Sequence, residues 1–106
     1  MKTIAQQINW NFETNGNLRI KDKNGNVIYF ENSKGVWSKK KYDSQDNQIY
    51  SESFRGDWAK WEFDSQDNLI YSENSYGDWI KWEFDSQGNQ VYYENSHGRI
   101  VDNRGL

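Results

Sequence analysis

Recurring carboxylates and one histidine set the chemistry this chain could attempt. Glu31, Glu52, Glu73 and Glu94 recur at one spacing, as do Asp22, Asp43, Asp64 and Asp85. Paired carboxylates serve as acid and base in glycoside cleavage, and aspartate-rich loops hold calcium. A structural use competes with each. Glu52, Glu73 and Glu94 fall opposite Lys39, Lys60 and Lys81 in the strand register derived below, which gives each a charge partner. Asp-Ser-Gln-Asp-Asn at 43–47 and 64–68 lacks the length and closing glutamate of an EF-hand, and aspartate at a turn start makes an Asx turn. His97, the only histidine, takes the place that Lys34, Arg55 and Tyr76 hold elsewhere, as an ordinary turn residue does. No nucleophile elbow, phosphate loop or metal-ligand cluster is present. With no cysteine there is no thiolate nucleophile, zinc-thiolate site or disulfide. The expectation is a chain that is not an enzyme, with no catalytic residue, metal or cofactor.

The elements that position these residues follow from a 21-residue period. Gly35, Gly56, Gly77 and Gly98 keep it, as do Trp37, Trp58 and Trp79, and Tyr29, Tyr50, Tyr71 and Tyr92. A strict period marks one supersecondary unit per repeat. Within residues 77–96, Ile80, Trp82 and Phe84 alternate with Trp79, Lys81 and Glu83, which predicts a strand. Asp85 to Asn89 is a cluster of turn formers, and Val91 to Tyr93 begins a second strand. A four-residue loop at Ser86–Asn89 sets Phe84 opposite Val91, Trp82 opposite Tyr93 and Lys81 opposite Glu94. A three-residue loop at Ser75-Tyr76-Gly77 sets Tyr71 beside Lys81. The predicted fold class is all-β: an antiparallel meander of β-hairpin repeats in a strongly twisted or curled sheet.

One domain covers residues 1–106. Residues 1–21 are an irregular N-terminal cap, with a strand expected from Ile4 to Phe12. Residues 22–98 carry the repeats, and residues 99–106 are a decayed repeat with Ile100 in the tryptophan position. One sheet face carries Ala59, Trp61, Phe63, Ile70, Ile80, Trp82, Phe84, Val91 and Tyr93. It is the expected core of the C-terminal half, with Trp61→Ala costing roughly 3–5 kcal/mol if that side chain is fully buried. The other face carries the Trp37/Trp58/Trp79 and Tyr50/Tyr71/Tyr92 columns beside lysines and glutamates.

Apolar residues make up 34% of the chain, and the 17% of aromatics speaks against disorder. Net charge is -3, which excludes a phosphate-tracking basic surface and makes direct nucleic-acid binding unexpected. Mimicry of DNA is disfavoured too, because the carboxylates alternate with lysines and are far sparser than phosphates. The N-terminal residues lack the apolar core of a secretory signal, and no stretch is long enough to cross a membrane as a helix. A soluble, cytoplasmic chain is expected.

The unit Gly77-Asp78-Trp79 … Phe84-Asp85 … Tyr93-Glu94-Asn95 resembles two families of short bacterial repeats. The aromatic-Asp pairs Tyr42-Asp43, Phe63-Asp64 and Phe84-Asp85 resemble YD, or RHS, repeats. Gly77-x-Trp79 and Tyr93-Glu94-Asn95 resemble MORN-like repeats. The resemblance spans residues 22–98 and implies stacked β-hairpins without implying an activity.

What remains is binding. Trp, Tyr and Arg are the residues that dominate protein interfaces. The expected partner-binding residues are Trp37, Trp58, Trp79, Tyr50, Tyr71, Tyr92, and the loop-tip residues Arg55 and Tyr76. The expected partner is a protein, in the sharpest version a bacterial nuclease or defence complex inhibited by a small phage or mobile-element protein of the anti-CRISPR kind. A homodimer is a further expectation, because a single-layer sheet leaves faces to cover. The alternative is a glycan or cell-wall module that stacks sugars on the Trp/Tyr column, with successive tryptophans about 9.6 Å apart.

Overall fold

A computed structural model describes residues 2–105. Nine strands form one sheet in sequential order: β1 (Leu18–Lys21), β2 (Val27–Glu31), β3 (Trp37–Tyr42), β4 (Gln48–Ser53), β5 (Trp58–Phe63), β6 (Leu69–Asn74), β7 (Trp79–Phe84), β8 (Gln90–Asn95) and β9 (Ile100–Asp102). Every pairing is antiparallel, and β1 and β9 do not pair with each other, so the sheet is open.

Both turns of a repeat are three-residue loops closed by main-chain bonds. Asp43 N–H bonds Asn47 O at 2.9 Å, and Ser53 N–H bonds Asp57 O at 2.8 Å. The third loop residue is left-handed: Gly56 at φ 87°, Gly77 at 87°, and in the Asp-led loops Asp46 at 65°, Asp67 at 64° and Gly88 at 83°. Glycine takes that conformation freely, and aspartate is among the few other residues that tolerate it.

Beside each Asp-led loop the ladder slips by one residue. Lys81 opposes Glu94, Trp82 opposes Tyr93 and Glu83 opposes Tyr92, but Phe84 opposes Gln90. The expected Phe84–Val91 pair is therefore replaced. The extra residue lies in the strand as a β-bulge at Val91, and at Ile28, Ile49 and Ile70 in the other repeats, instead of in a four-residue loop. The other expected pairs stand: Lys39 opposes Glu52, Lys60 opposes Glu73, and Tyr71 opposes Lys81.

The N-terminal segment is helical where a strand was expected. Helix α1 (Ile4–Gln7) starts in a capping box: the Gln6 N–H donates to Thr3 Oγ1 at 3.2 Å, and the Thr3 N–H donates to Gln6 Oε1 at 2.9 Å. Helix α2 (Phe12–Asn15) is capped by Asn11, whose side chain accepts the Thr14 N–H at 3.0 Å. The pair packs on one end of one sheet face, where Ala5, Leu18 and Tyr29 are buried with Ile4, Trp10, Phe12, Ile20 and Trp37 around them. This cluster is the apolar core. Trp61 and Trp82, expected to be core, are only half-buried; among the described residues the buried cluster lies under the N-terminal helices instead.

A single layer has a measurable shape. A compact globule of 12.7 kDa would expose about 6,200 Å² with a radius of gyration of about 13 Å, whereas this chain exposes 7610 Å² with a radius of 18.2 Å and extents of 61 × 30 × 17 Å. The burial pattern predicts unequal core substitutions. Leu18→Ala, 3% exposed, should cost about 2–5 kcal/mol. Trp61→Ala should cost less than its full-burial figure and less than Leu18→Ala, as read by urea unfolding of both variants.

Candidate functional site

The register assigns side chains to faces. Trp37, Lys39, Tyr50, Glu52, Trp58, Lys60, Tyr71, Glu73, Trp79, Lys81, Tyr92 and Glu94 are linked by direct cross-strand pairing and share one face, with Leu18, Ile20, Tyr29 and Glu31 at its N-terminal end. Six of the expected binding residues, the three tryptophans and Tyr50, Tyr71 and Tyr92, are therefore together. Glu52 lies opposite both Lys39 and Trp58, so equivalent residues shift two positions along the strand per repeat. Combined with the spacing of two strands, this stagger separates successive tryptophans by about 12 Å, longer than the 9.6 Å expected without it.

On this face each tyrosine hydroxyl donates to the glutamate two residues on. The distances are 2.8 Å for Tyr29–Glu31, 3.0 Å for Tyr50–Glu52, 3.0 Å for Tyr71–Glu73 and 2.8 Å for Tyr92–Glu94. The expected lysine–glutamate pairs are only partly made. Lys60 reaches Glu73 at 3.4 Å. Lys39 Nζ instead sits 5.2 Å over the Trp37 ring, and Lys60 Nζ is also 5.7 Å over Trp58.

The N-terminal segment covers the first unit. Thr3 Oγ1 donates to Glu31 Oε2 at 2.6 Å, and the Ala5 N–H donates to Glu31 Oε1 at 3.1 Å. Tyr29 stacks on Trp37 with ring centres 6.3 Å apart. Beside the cap an open groove of about 780 Å³ runs from Ile4, Ile20 and Tyr29 over Lys39 to Tyr50 and Glu52.

Arg55 and Tyr76 lie elsewhere, on the loop tips along one long edge. Tyr76 is 73% exposed, and its hydroxyl donates to Asp57 at 2.8 Å. Arg55 lies 5.4 Å over the ring of Phe54, which is 42% exposed. The tips still border the tryptophan column: the Trp58 and Trp79 N–H groups donate to Ser75 and Ser96 Oγ. Phe54 was not anticipated, although an aromatic where Ser33, Ser75 and Ser96 stand is a visible departure. His97 faces Asp78 at 3.3 Å, both largely exposed.

The opposite long edge is built from Asx turns. Asp43 Oδ1 accepts the Gln45 and Asn47 N–H groups at 2.9 Å, and Asp64 and Asp85 repeat this. Asn26 and Asn47 each reach the left-handed aspartate of the next repeat, Asp46 and Asp67, at 2.8 Å. These loops are occupied by their own hydrogen bonds, and no group of three or more potential metal ligands occurs among the described residues. No protein-family model matches the chain, and no curated protein matches it.

The hydrogen bonds shift several proton affinities. Burial opposes ionisation of Glu31, yet bonds from Thr3, Tyr29 and Ala5 outweigh it and hold the carboxyl below its ordinary range. The Asn47, Asn68 and Asn89 N–H groups, foremost, lower Asp43, Asp64 and Asp85. Burial, then the Glu31 bond and charge, pushes Tyr29 up to about 12. A carboxyl lowered by folding contributes stability above its unfolded value and loses that contribution as pH falls through the folded value. For the phenol the contribution is complete below its unfolded value of 10 and lost as pH rises toward 12. Urea midpoints should therefore fall as pH drops below the ordinary carboxylate values of 3.8 and 4.5, and again between about pH 10 and 12. Glu31→Gln should flatten part of the acid limb; an unchanged limb would show that Glu31 does not contribute to it.

Proposed function

We propose that this chain is a non-enzymatic protein-binding module that recognises its partner with the tryptophan–tyrosine face. One observation carries the reading: the Trp-Tyr-Glu unit recurs along the sheet, and the N-terminal segment covers the first copy while a groove leaves Tyr50 and Glu52 of the second open. Half-buried aromatics flanked by lysine and glutamate provide anchors with a polar surround, the anatomy of an interface that forms and separates in water. The loop tips Arg55 and Tyr76 extend the surface along one edge.

The specific form of the proposal is a small inhibitor of a bacterial nuclease or defence complex, anti-CRISPR-like, acting in the cytoplasm. Its net charge of -3 and absence of cysteine agree with that reading. A strongly twisted sheet and association with a second copy belong to the same proposal, as ways to cover the uncharged face around Trp61, Ser72, Ile80 and Trp82.

Pull-down from bacterial lysate with mass spectrometry tests the reading. One stoichiometric protein should be captured by the wild-type chain and lost with Trp58→Ala or Trp79→Ala, while Ser65→Ala on the far loop edge keeps it. Capture of cell-wall polysaccharide instead, lost with Trp58→Ala, would replace this reading with the glycan one. Sedimentation at increasing concentration tests the second copy, and Ser72→Lys, which places a charge on that face, should yield a monomer.

A further inference from the structure

The N-terminal cap is a segment of this chain seated on that face. The first unit, Tyr29, Glu31 and Trp37, holds the segment Thr3-Ile4-Ala5. Its carboxylate takes three donors: the Tyr29 hydroxyl, the Thr3 hydroxyl and the Ala5 N–H. Ala5, 2% exposed, packs into the buried cluster with Tyr29. Thr3 Oγ1 both donates to Glu31 and accepts the Gln6 N–H, so one hydroxyl orders the segment and docks it.

The same unit recurs as Tyr50, Glu52 and Trp58, and as Tyr71, Glu73 and Trp79. Tyrosine and glutamate stand at the same offset in the strand, with tryptophan directly opposite the glutamate. The tyrosine hydroxyl bonds the carboxylate in each copy. What differs is the other neighbour. Leu18 opposes Glu31, whereas Lys39 opposes Glu52 and Lys60 opposes Glu73. The open groove beside the cap ends on Tyr50 and Glu52, so the second unit is reachable from solvent.

Resting on the protein-binding reading above, we propose that Glu52 and Glu73 each receive a partner segment of the pattern Ser/Thr-x-Ala. Its hydroxyl and the backbone N–H two residues on bond the carboxylate, and its small side chain sits beside the tyrosine and tryptophan. Recognition thus falls on a local main-chain shape with two donors and little side-chain bulk. A carboxylate takes such donors more strongly than a neutral acceptor would.

The test uses the full-length chain and a synthetic peptide of its own residues 2–13 as probe, followed by the indole N–H signals in NMR. Binding in the millimolar range should shift the Trp58 and Trp79 indoles saturably. Affinity should drop at least tenfold with Glu52→Gln plus Glu73→Gln in the chain, and similarly when the peptide carries valine in place of its threonine. Gln retains an acceptor for the tyrosine hydroxyl, and unchanged Trp37 and Trp10 signals would show the fold intact. No shift of the Trp58 or Trp79 indole at millimolar peptide, or equal binding by the valine peptide, overturns the proposal. That failure would leave a protein captured through Trp58 and Trp79 unaffected. Failure of the pull-down alongside peptide binding would instead identify these units as self-recognition sites.

Discussion

One extra residue per repeat decides which side chains share a face. Beyond each Asp-led loop the ladder slips at Ile28, Ile49, Ile70 and Val91. Side chains alternate with period two, so a one-residue slip carries every later side chain to the other face. Without the bulge at Ile49, Tyr50 would oppose Lys40, and Glu52 would join Ser38 on the face opposite Trp37. With it, the Tyr-x-Glu pair of one strand faces the Trp-x-Lys pair of its neighbours. The sharing of one face by successive units and the opposition of Lys39 to Glu52 and of Lys60 to Glu73 follow from that slip, whereas the hydroxyl–carboxylate bonds join residues two apart on one strand and do not need it. The bulge position holds a β-branched residue in every repeat, a type suited to a pleated, half-buried surface.

The same repetition leaves β1 and β9 as edge strands, and an open strand edge is a template for another strand. The two ends of the sheet differ. Beside β1 two short helices bury the first unit and create the one cluster of buried apolar side chains among the described residues. At the C-terminus the charge pattern inverts. Asp102 stands where Lys39, Lys60 and Lys81 stand, and Arg104 where Glu62 and Glu83 stand. Arg104 reaches back to Glu83 at 3.2 Å, pairs with Asp102 at 2.7 Å and lies 4.2 Å over the Tyr92 ring. A further strand in the same register would bring its glutamate against Asp102, a like-charge contact that disfavours continuation.

Much of this architecture was legible in the sequence, and the misses have specific causes. The period, the strand order and the Lys81–Glu94 register could be read because repeats impose the same constraint several times. A four-residue loop and a three-residue loop with a bulge each insert one residue, so they give the same distant register and differ only at Phe84. The helical start was readable in Thr3-Ile4-Ala5-Gln6, a capping-box pattern that the apolar residues Ile4, Ile8 and Trp10 obscured. The placing of the core around Trp61 and Trp82 failed for a deeper reason. Alternation tells which side chains share a face but carries no information on what, if anything, covers it. The aromatics that share one face were readable residue by residue, whereas the glutamates were assigned wholly to lysine pairs that only Lys60–Glu73 completes.

The difference between the covered unit and the open ones lies in a single neighbour. Around Glu31 the flanking residue is Leu18, which gains by excluding water, so a tethered segment stays docked. Around Glu52 and Glu73 the flanking residue is a lysine that keeps its ammonium hydrated and can lie over tryptophan or pair with the glutamate. Covering those units means displacing or desolvating the lysine, which offsets part of what the carboxylate bonds contribute. The same triad can thus be a permanent joint at one end of the sheet and an exchangeable contact further along. Equivalent units about 12 Å apart on one rigid layer let modest contacts add up, because the second engagement on a single partner becomes intramolecular. A partner presenting two suitable segments at that spacing would be held far more tightly than one presenting either alone.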